Sequence, residues 1–188
     1  MIKIGITGSL SSGKTTASKI LSNKHGPLFS ADKVVNQLYK NDAFVSSLSK
    51  KLSIQKSSSI KKSIKKLVLK NKINLKKLEK IIHPLVRKKM RSFTSKNKNK
   101  KFLFYEIPLL IESKLMKYFN VIIFIKSKKA TRLRRFKSKK GNKKLFDFLD
   151  KRQMNNKKKS KFCDHIVVNE KNLKILKKNL LHIIEKYE

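Results

Sequence analysis

The chain has 188 residues, 39% of them hydrophobic, with 50 Lys+Arg against 11 Asp+Glu and a formal charge of +39. That supplies a core for a single folded domain and excludes disorder for most of the chain, and no apolar run approaches the ~18–20 residues of a membrane span. One cysteine, Cys163, excludes an internal disulfide framework or a cysteine-based zinc site, and no signal-peptide pattern follows Lys3, so a soluble cytoplasmic protein is expected.

Isoleucines at 2, 4 and 6 predict a first short strand over residues 2–7. Gly8 to Thr16 is turn chemistry that leads into a helix running to about Lys24, where His25-Gly26-Pro27 stops it. Leu28-Phe29 reads as a second strand and Ala31 to Lys40 as a helix with Val34, Val35 and Leu38 on one face. The Ser/Lys-rich stretch Lys50 to Lys66 reads as a loop or as two short solvated helices. From Asn74 onward Leu75, Leu78, Ile81, Ile82, Leu85 and Val86 recur at helical spacing, with Pro84 kinking or restarting the helix. Ser95 to Lys101 is a polar loop. The runs Phe102 to Pro108 and Val121 to Ile125 are strands of the buried type. A helix over Lys129–Phe136, a polar stretch over Lys137–Lys144 around Gly141, a helix over Leu145–Lys159, a strand over Ile166–Val168 and a closing helix carrying Leu173 to Ile184 complete the chain. Strands alternating with helices predict an α/β fold on a parallel sheet.

The charge is a weaker guide than its size suggests. Clustered cations would point to a polynucleotide, but the excess here is mostly lysine spread from Lys50 to Lys186. Lys, Asn, Ile, Phe and Ser are abundant together while Gly and Pro are scarce, which is what A- and T-rich codons produce. Compositional bias accounts for the set, and a basic surface that attracts anionic metabolites is the next reading. Scarcity makes the exceptions informative: three of the five glycines, Gly5, Gly8 and Gly13, lie within the first thirteen residues.

Gly8-x-x-x-x-Gly13-Lys14-Thr15 is a full G-x-x-x-x-G-K-[ST] pattern with a strand before it and a helix after it. Glycines let the backbone turn tightly round an anion. The amides of Ser11, Ser12, Gly13, Lys14, Thr15 and Thr16 at a helix N-terminus then suit phosphate oxygens. Lys14 is expected to reach the β- and γ-phosphates of ATP and, without nucleotide, to hold its ammonium in solvent; the Thr15 hydroxyl is expected to ligate Mg²⁺. No second GTPase-type motif such as Asn-Lys-x-Asp is present. The size suits a small ATP-dependent kinase whose acceptor region and lid are insertions in the sheet.

Several further segments, in order and spanning nearly the whole chain, make the sequence similar to the dephospho-CoA kinase family. They are Ile6-Thr-Gly-Ser-Leu-Ser-Ser-Gly-Lys-Thr-Thr16, Phe29-Ser-Ala-Asp32, Ile82-His-Pro84, Ile107-Pro-Leu-Leu-Ile-Glu112, Leu133-Arg-Arg135, Arg152-Gln-Met154 and Asp164-His-Ile-Val-Val-Asn169. The resemblance implies a three-layer P-loop fold on a five-stranded parallel sheet. It implies one kinase domain with its core in residues 1–40, 100–136 and 160–188, a helical acceptor region near 41–99 and a lid near 137–150. It also implies phosphorylation of the ribose 3′-hydroxyl of dephospho-CoA by ATP with Mg²⁺.

By the same resemblance Asp32 orients the acceptor hydroxyl and takes its proton, the alternative being a helix N-cap. His83 lies on the acceptor side, the alternative being a partly buried histidine before a proline. Pro108, Leu109 and Leu110 wall the substrate pocket or form a core turn. Arg135 is a lid cation on the transferring phosphoryl group, and Asn169 lies near the nucleotide's base. Glu106 suits either a Mg²⁺-water contact or an ion pair, and Glu112 either pairs with a cation or holds a loop. The chain departs from the family at Ser30, where a second carboxylate is usual, at Lys139 in place of a lid arginine, and at Ser9 and Ser11, often glycine. Dephospho-CoA is thus the expected partner, with no membrane and no dedicated nucleic acid; incidental RNA association is the most the charge implies. The rival readings are another small-molecule or nucleoside monophosphate kinase and, further off, a basic RNA-binding protein with a vestigial P-loop.

Overall fold

The computed structural model describes residues 1–54, 60, 63, 64, 67 and 72–188. They fall into two compact units, residues 1–30 with 97–188 and residues 31–96.

The first unit is built on five parallel strands: β1 (Ile2–Gly8), β2 (Leu28–Ser30), β3 (Phe102–Glu106), β4 (Val121–Lys126) and β5 (His165–Val168), in the order β2-β3-β1-β4-β5. Strand β3 is buried along its whole length and β4 along all but Lys126. That is why these runs are continuously apolar rather than alternating. Side chains on β1 alternate between faces. Ile4 and Ile6 pack with Ala17 and Leu21 of α1 (Lys14–Ser22) and with Leu176, Leu180, Ile183 and Ile184 of the closing helix. Between them, Gly5 lies against Leu110 and Phe119; a methyl at Gly5 would come within 2.6 Å of the Leu110 side chain. Tyr105 stacks edge-on against Phe119 at 5.2 Å on the same side. Helices thus flank both faces of the sheet. Chain order reverses at β1, whose carboxyl end is the topological switch point where open sheets of this kind receive ligands.

The second unit is helical: α2 (Ala31–Leu38), α3 (Asp42–Leu52) and α4 (Lys72–Lys96). Its core joins Leu48 and Leu52 of α3 to Leu78 and Ile82 of α4, with Ile60 and Ile64 among them and Val35 and Leu38 of α2 packed alongside. Asn41 caps α3 by accepting the Phe44 amide at 2.8 Å. Helix α4 passes through Pro84 and continues to Lys96, so the segment expected as a loop from Ser95 begins at Asn97. Of the stretch Lys50 to Lys66, residues 50–52 end α3 and most of the remainder lies outside the described residues.

The rest of the first unit contains α5 (Lys129–Lys137), α6 (Lys143–Asp150), α7 (Asn156–Ser160) and α8 (Leu173–Glu185). The single helix expected over Leu145–Lys159 is in fact two. The first ends at Asp150, and Asn155 starts the second by capping α7, its side chain accepting the Lys157 amide at 2.8 Å. Asn142 does the same for α6 at Leu145. Short polar side chains compete for backbone amides in this way, and asparagine at such positions marks a break that apolar spacing does not register.

Candidate active site

Residues 8–16 form a closed loop at the carboxyl end of β1. A Cβ on Gly8 would lie 2.5 Å from the Ile125 carbonyl oxygen, so β4 passes too close for any other residue. Gly13 caps α1 in the left-handed region at φ 97°, and a methyl there would run into Nδ2 of Asn169. Ser11 is also left-handed at φ 57°. Alternating backbone hand of this kind turns successive amides into one concavity. The first-turn amides of α1 have no carbonyl a turn earlier to bond and are the donors the concavity offers. The Ser12 amide is spent differently from expectation: it bonds the Ser9 carbonyl at 3.1 Å and closes the loop on itself.

Lys14 also differs from expectation. It is buried, 8% exposed, rather than solvated, and its Nζ donates to the Ser9 carbonyl at 2.9 Å. The ammonium thus lies inside the loop, bonded to its backbone. Thr15 and Thr16 are exposed, and Thr15 Oγ1 donates to Oε1 of the buried Glu106 at 2.5 Å. A hydroxyl and a carboxylate meeting at the loop form an oxygen donor set that fits Mg²⁺, which takes one or two protein oxygens and completes its shell with phosphate and water. The Ser12 hydroxyl is buried with no partner among the described residues.

Behind the loop, Arg135 donates from Nη1 to the Ser12 carbonyl and the Ser127 hydroxyl, each at 3.3 Å, and from Nη2 to the Asn169 carbonyl at 3.1 Å. Asn169, 7% exposed, donates to the Ser12 carbonyl at 2.8 Å. The structure therefore brings Arg135 and Asn169 together at the loop, although each lies more than a hundred residues from it in sequence. Glu170 accepts from Ser127 Oγ at 2.6 Å, from Thr131 Oγ1 at 2.7 Å and from the Lys128 amide. These bonds, the Ser127 hydroxyl foremost, hold its carboxyl down at about 2 from an ordinary 4.5.

Pro108 and Leu109 are half-buried at the exit of β3, while Leu110 has no exposed surface and packs on Gly5. Any surface this turn presents therefore comes from Pro108 and Leu109, with Leu110 as their support. In the helical unit, Asp32 is exposed in the first turn of α2. His83 is half-buried on α4; burial pushes its pKa below 6.5 and Arg87 adds to this, while Glu79 opposes them.

Four further features were not assigned roles by sequence. Arg132, 4% exposed, pairs with Asp150, its Nη2 lying 3.3 Å from Oδ2, and reaches the Leu10 carbonyl at 3.4 Å. Its guanidinium also lies 5.5 Å from the Phe146 ring centre, which ties α5, α6 and the loop together. Gln153 accepts the Leu10 amide at 2.8 Å, and Asn156 accepts the Ser9 hydroxyl. Lys159, fully buried, bonds Glu112 and the Pro108 carbonyl. Arg152-Gln-Met154 is one of the segments that carry the resemblance, but nothing in it signals which side chain meets the loop. Lys159 is one of three successive lysines, and composition hides it.

A family model described as dephospho-CoA kinase matches residues 2–174. A curated relative named dephospho-CoA kinase from Bartonella quintana is 32% identical over 187 residues, 97% of this chain and 96% of its own. Among solved structures, one from Thermus thermophilus superposes with a TM-score of 0.83 at 23% identity, covering 98% of this chain and 97% of that one. A dephospho-CoA kinase from Campylobacter jejuni gives 0.64 at 24% identity, covering 99% and 97%. At those identities the structures attest the fold, while the family model and the curated relative attest the lineage. Together with the loop at the carboxyl end of β1, they establish that the chain belongs to the dephospho-CoA kinase family, kinases that transfer a phosphoryl group to an alcohol.

Proposed function

We propose that the chain transfers the γ-phosphoryl group of ATP to the ribose 3′-hydroxyl of dephospho-CoA, giving ADP and CoA. The observation that carries this reading is the Gly8–Thr16 cradle at the switch point of a sheet whose chain matches the family model over residues 2–174. In the reaction the acceptor oxygen bonds to the γ-phosphorus and the bond to the β–γ bridging oxygen breaks. The electron pair leaves with ADP, and the hydroxyl proton passes to Asp32. Little covalent work falls to the protein, so catalysis is positioning and charge stabilisation.

In this reading Gly8 and Gly13 shape the cradle, and the amides of Ser11, Gly13, Lys14, Thr15 and Thr16 hold phosphate, with Ser12 closing the loop. Lys14 exchanges the Ser9 carbonyl for the β- and γ-phosphates. Arg135, already beside Ser12, adds positive charge as the phosphoryl group transfers, and Asn169 contacts the base. Asp32 orients the hydroxyl, His83, neutral at pH 7, contacts the acceptor, and Pro108 and Leu109 wall it, backed by Leu110. Mg²⁺ would be held by Thr15 and Glu106 and would neutralise phosphate charge. The segment near 137–150 serves as lid, and the whole chain acts as one kinase domain. ATP chemistry and a single cysteine fit a cytoplasmic location, and the +39 charge is read as steering anionic substrates.

Labelled ATP offered with dephospho-CoA and a set of nucleoside monophosphates tests the assignment. Label is expected on dephospho-CoA alone; label on a nucleoside monophosphate overturns it.

A further inference from the structure

Lys159 is the most thoroughly buried charge in the first unit, with a side chain of 0% exposure. Its three ammonium donors meet three acceptors: the Pro108 carbonyl at 2.7 Å and the two carboxylate oxygens of Glu112 at 3.1 Å each. Burial pushes the pKa of this lysine down, and Glu112 pushes it back up. Taking the ammonium wholly and the carboxylate largely out of water costs several kcal/mol per fully buried ion, and an apolar pair of the same volume is often as stable or more so. Stability alone is therefore a weak reason for a lysine here.

The Pro108 carbonyl is the common point. A carbonyl oxygen has two lone pairs, and the second bond comes from Thr7 Oγ1 at 3.1 Å. Thr7 immediately precedes Gly8. One carbonyl thus fastens the exit of β3 to the exit of β1, where the nucleotide loop starts. Glu112 also accepts the Met154 amide at 3.0 Å. The segment that presents Lys159 is also bonded to the first residues of the loop itself, through Gln153 at the Leu10 amide and Asn156 at the Ser9 hydroxyl. Residues 153–159 therefore bracket the nucleotide loop on one side and the turn at 108–112 on the other.

We propose that Lys159 is a positioning residue, which through the Pro108 carbonyl sets the distance between the phosphate cradle and the acceptor wall. The inference rests on the reading of Pro108 and Leu109 as that wall. A misplacement of ~1 Å in such a constellation costs about 10²-fold in rate. Lys159 touches no substrate, so its loss falls on the acceptor's step and spares ATP binding.

The test uses the full chain as wild type, Lys159→Met and the double variant Glu112→Gln with Lys159→Met. Lys159→Met is expected to lower kcat by about 30- to 100-fold and raise the KM for dephospho-CoA severalfold, with the KM for ATP within about threefold. The double variant leaves no lone buried carboxylate, so its melting temperature is expected to recover while transfer stays low. Transfer that recovers with stability, an unaffected single variant, or equal rises in both KM values makes Lys159 merely structural and overturns the proposal. Amide exchange across residues 107–115 reads the clamp without an acceptor and is expected to quicken in both variants; unchanged exchange overturns the clamp. If wild type leaves dephospho-CoA unlabelled, the acceptor assignment fails and takes the kinetic half of the proposal with it, whereas quickened exchange still supports the clamp.

Discussion

In the unit of residues 1–30 and 97–188, the nucleotide loop is fixed by polar side chains, bonded to its backbone by Arg135 and Asn169 at Ser12 and by Arg132 and Gln153 at Leu10, and to its Ser9 hydroxyl by Asn156. In the unit of residues 31–96, Asp32 and His83 ride on helices joined by an apolar cluster of Leu48, Leu52, Leu78 and Ile82. Directional bonds define where an anion must sit to within tenths of an ångström. Apolar packing fixes helices less directionally and allows their exposed faces to change freely. A kinase needs the first for the phosphate, whose shape is constant. In the proposed reading the second suffices for helices whose contribution is Asp32 and His83.

The sharpest way to break that contrast is at the two ends of the transfer. In the proposed reading Lys14 is the cation for the β- and γ-phosphates, so Lys14→Ala is expected to lower transfer by at least about 10³-fold. Because Lys14 is buried on the Ser9 carbonyl, the same variant is expected to lose a few degrees of melting temperature as well, about 1 kcal/mol for one buried hydrogen bond. Transfer within tenfold of wild type would remove Lys14 from the phosphate. Asp32→Asn is expected to lower transfer by about 10²- to 10⁴-fold with ATP affinity unchanged, as loss of a positioned base does. Near-normal turnover would leave Asp32 as a helix-start residue only.

On the apolar side the expected currency is stability. Leu48 is 0% exposed at the centre of the helical cluster, and Leu48→Ala is expected to cost about 2–5 kcal/mol. At this chain length that is a fall of roughly 5–15 °C in melting temperature. ATP affinity, measured well below the new midpoint, is expected to stay within about threefold, because no residue of the cluster belongs to the cradle. A large loss of ATP affinity there would mean that the cradle depends on the helical unit.

The sheet and the loop were legible in the sequence because each is written locally. Isoleucines at 2, 4 and 6, the run Val121–Ile125 and the spacing of Gly8, Gly13 and Lys14 need no distant partner to be read. The settings of those residues were not legible. Nothing local says that Lys14 folds back onto Ser9 or that Ser12 spends its amide on the same carbonyl. Burial separates Lys159 from Lys157 and Lys158, and burial is a property of the assembled fold. The long helix expected over Leu145–Lys159 failed because apolar spacing outweighed the capping chemistry of Asn155. Carboxylates were the usable clue: among eleven acidic residues, Glu106, Glu112, Asp150 and Glu170 all proved to be bonded inside the first unit.

Glu170 supplies the smallest effect and the finest check on polar fixation. Its carboxyl is held at about 2 against an ordinary 4.5, first by the Ser127 hydroxyl and then by Thr131, the Lys128 amide and the charge of Arg135. The fold therefore favours the ionised form. The stability this contributes is complete above pH 4.5 and is lost as pH falls toward 2. Solvent screening trims the contribution to about 1 kcal/mol, or a melting difference of about 2–4 °C between wild type and Glu170→Gln near neutrality. That difference is expected to hold steady from pH 7 to pH 5 and to shrink through the acid range, as thermal melts in a pH series would show. Glutamine keeps one acceptor oxygen, which can serve Ser127 and the Lys128 amide at the Oε1 position, but it loses the second oxygen that accepts from Thr131 and the charge opposite Arg135. A constant difference down to the lowest pH would therefore assign the loss to packing. A shrinking one would show that a charged network of hydrogen bonds, and not apolar contact, holds the arginine behind the nucleotide loop.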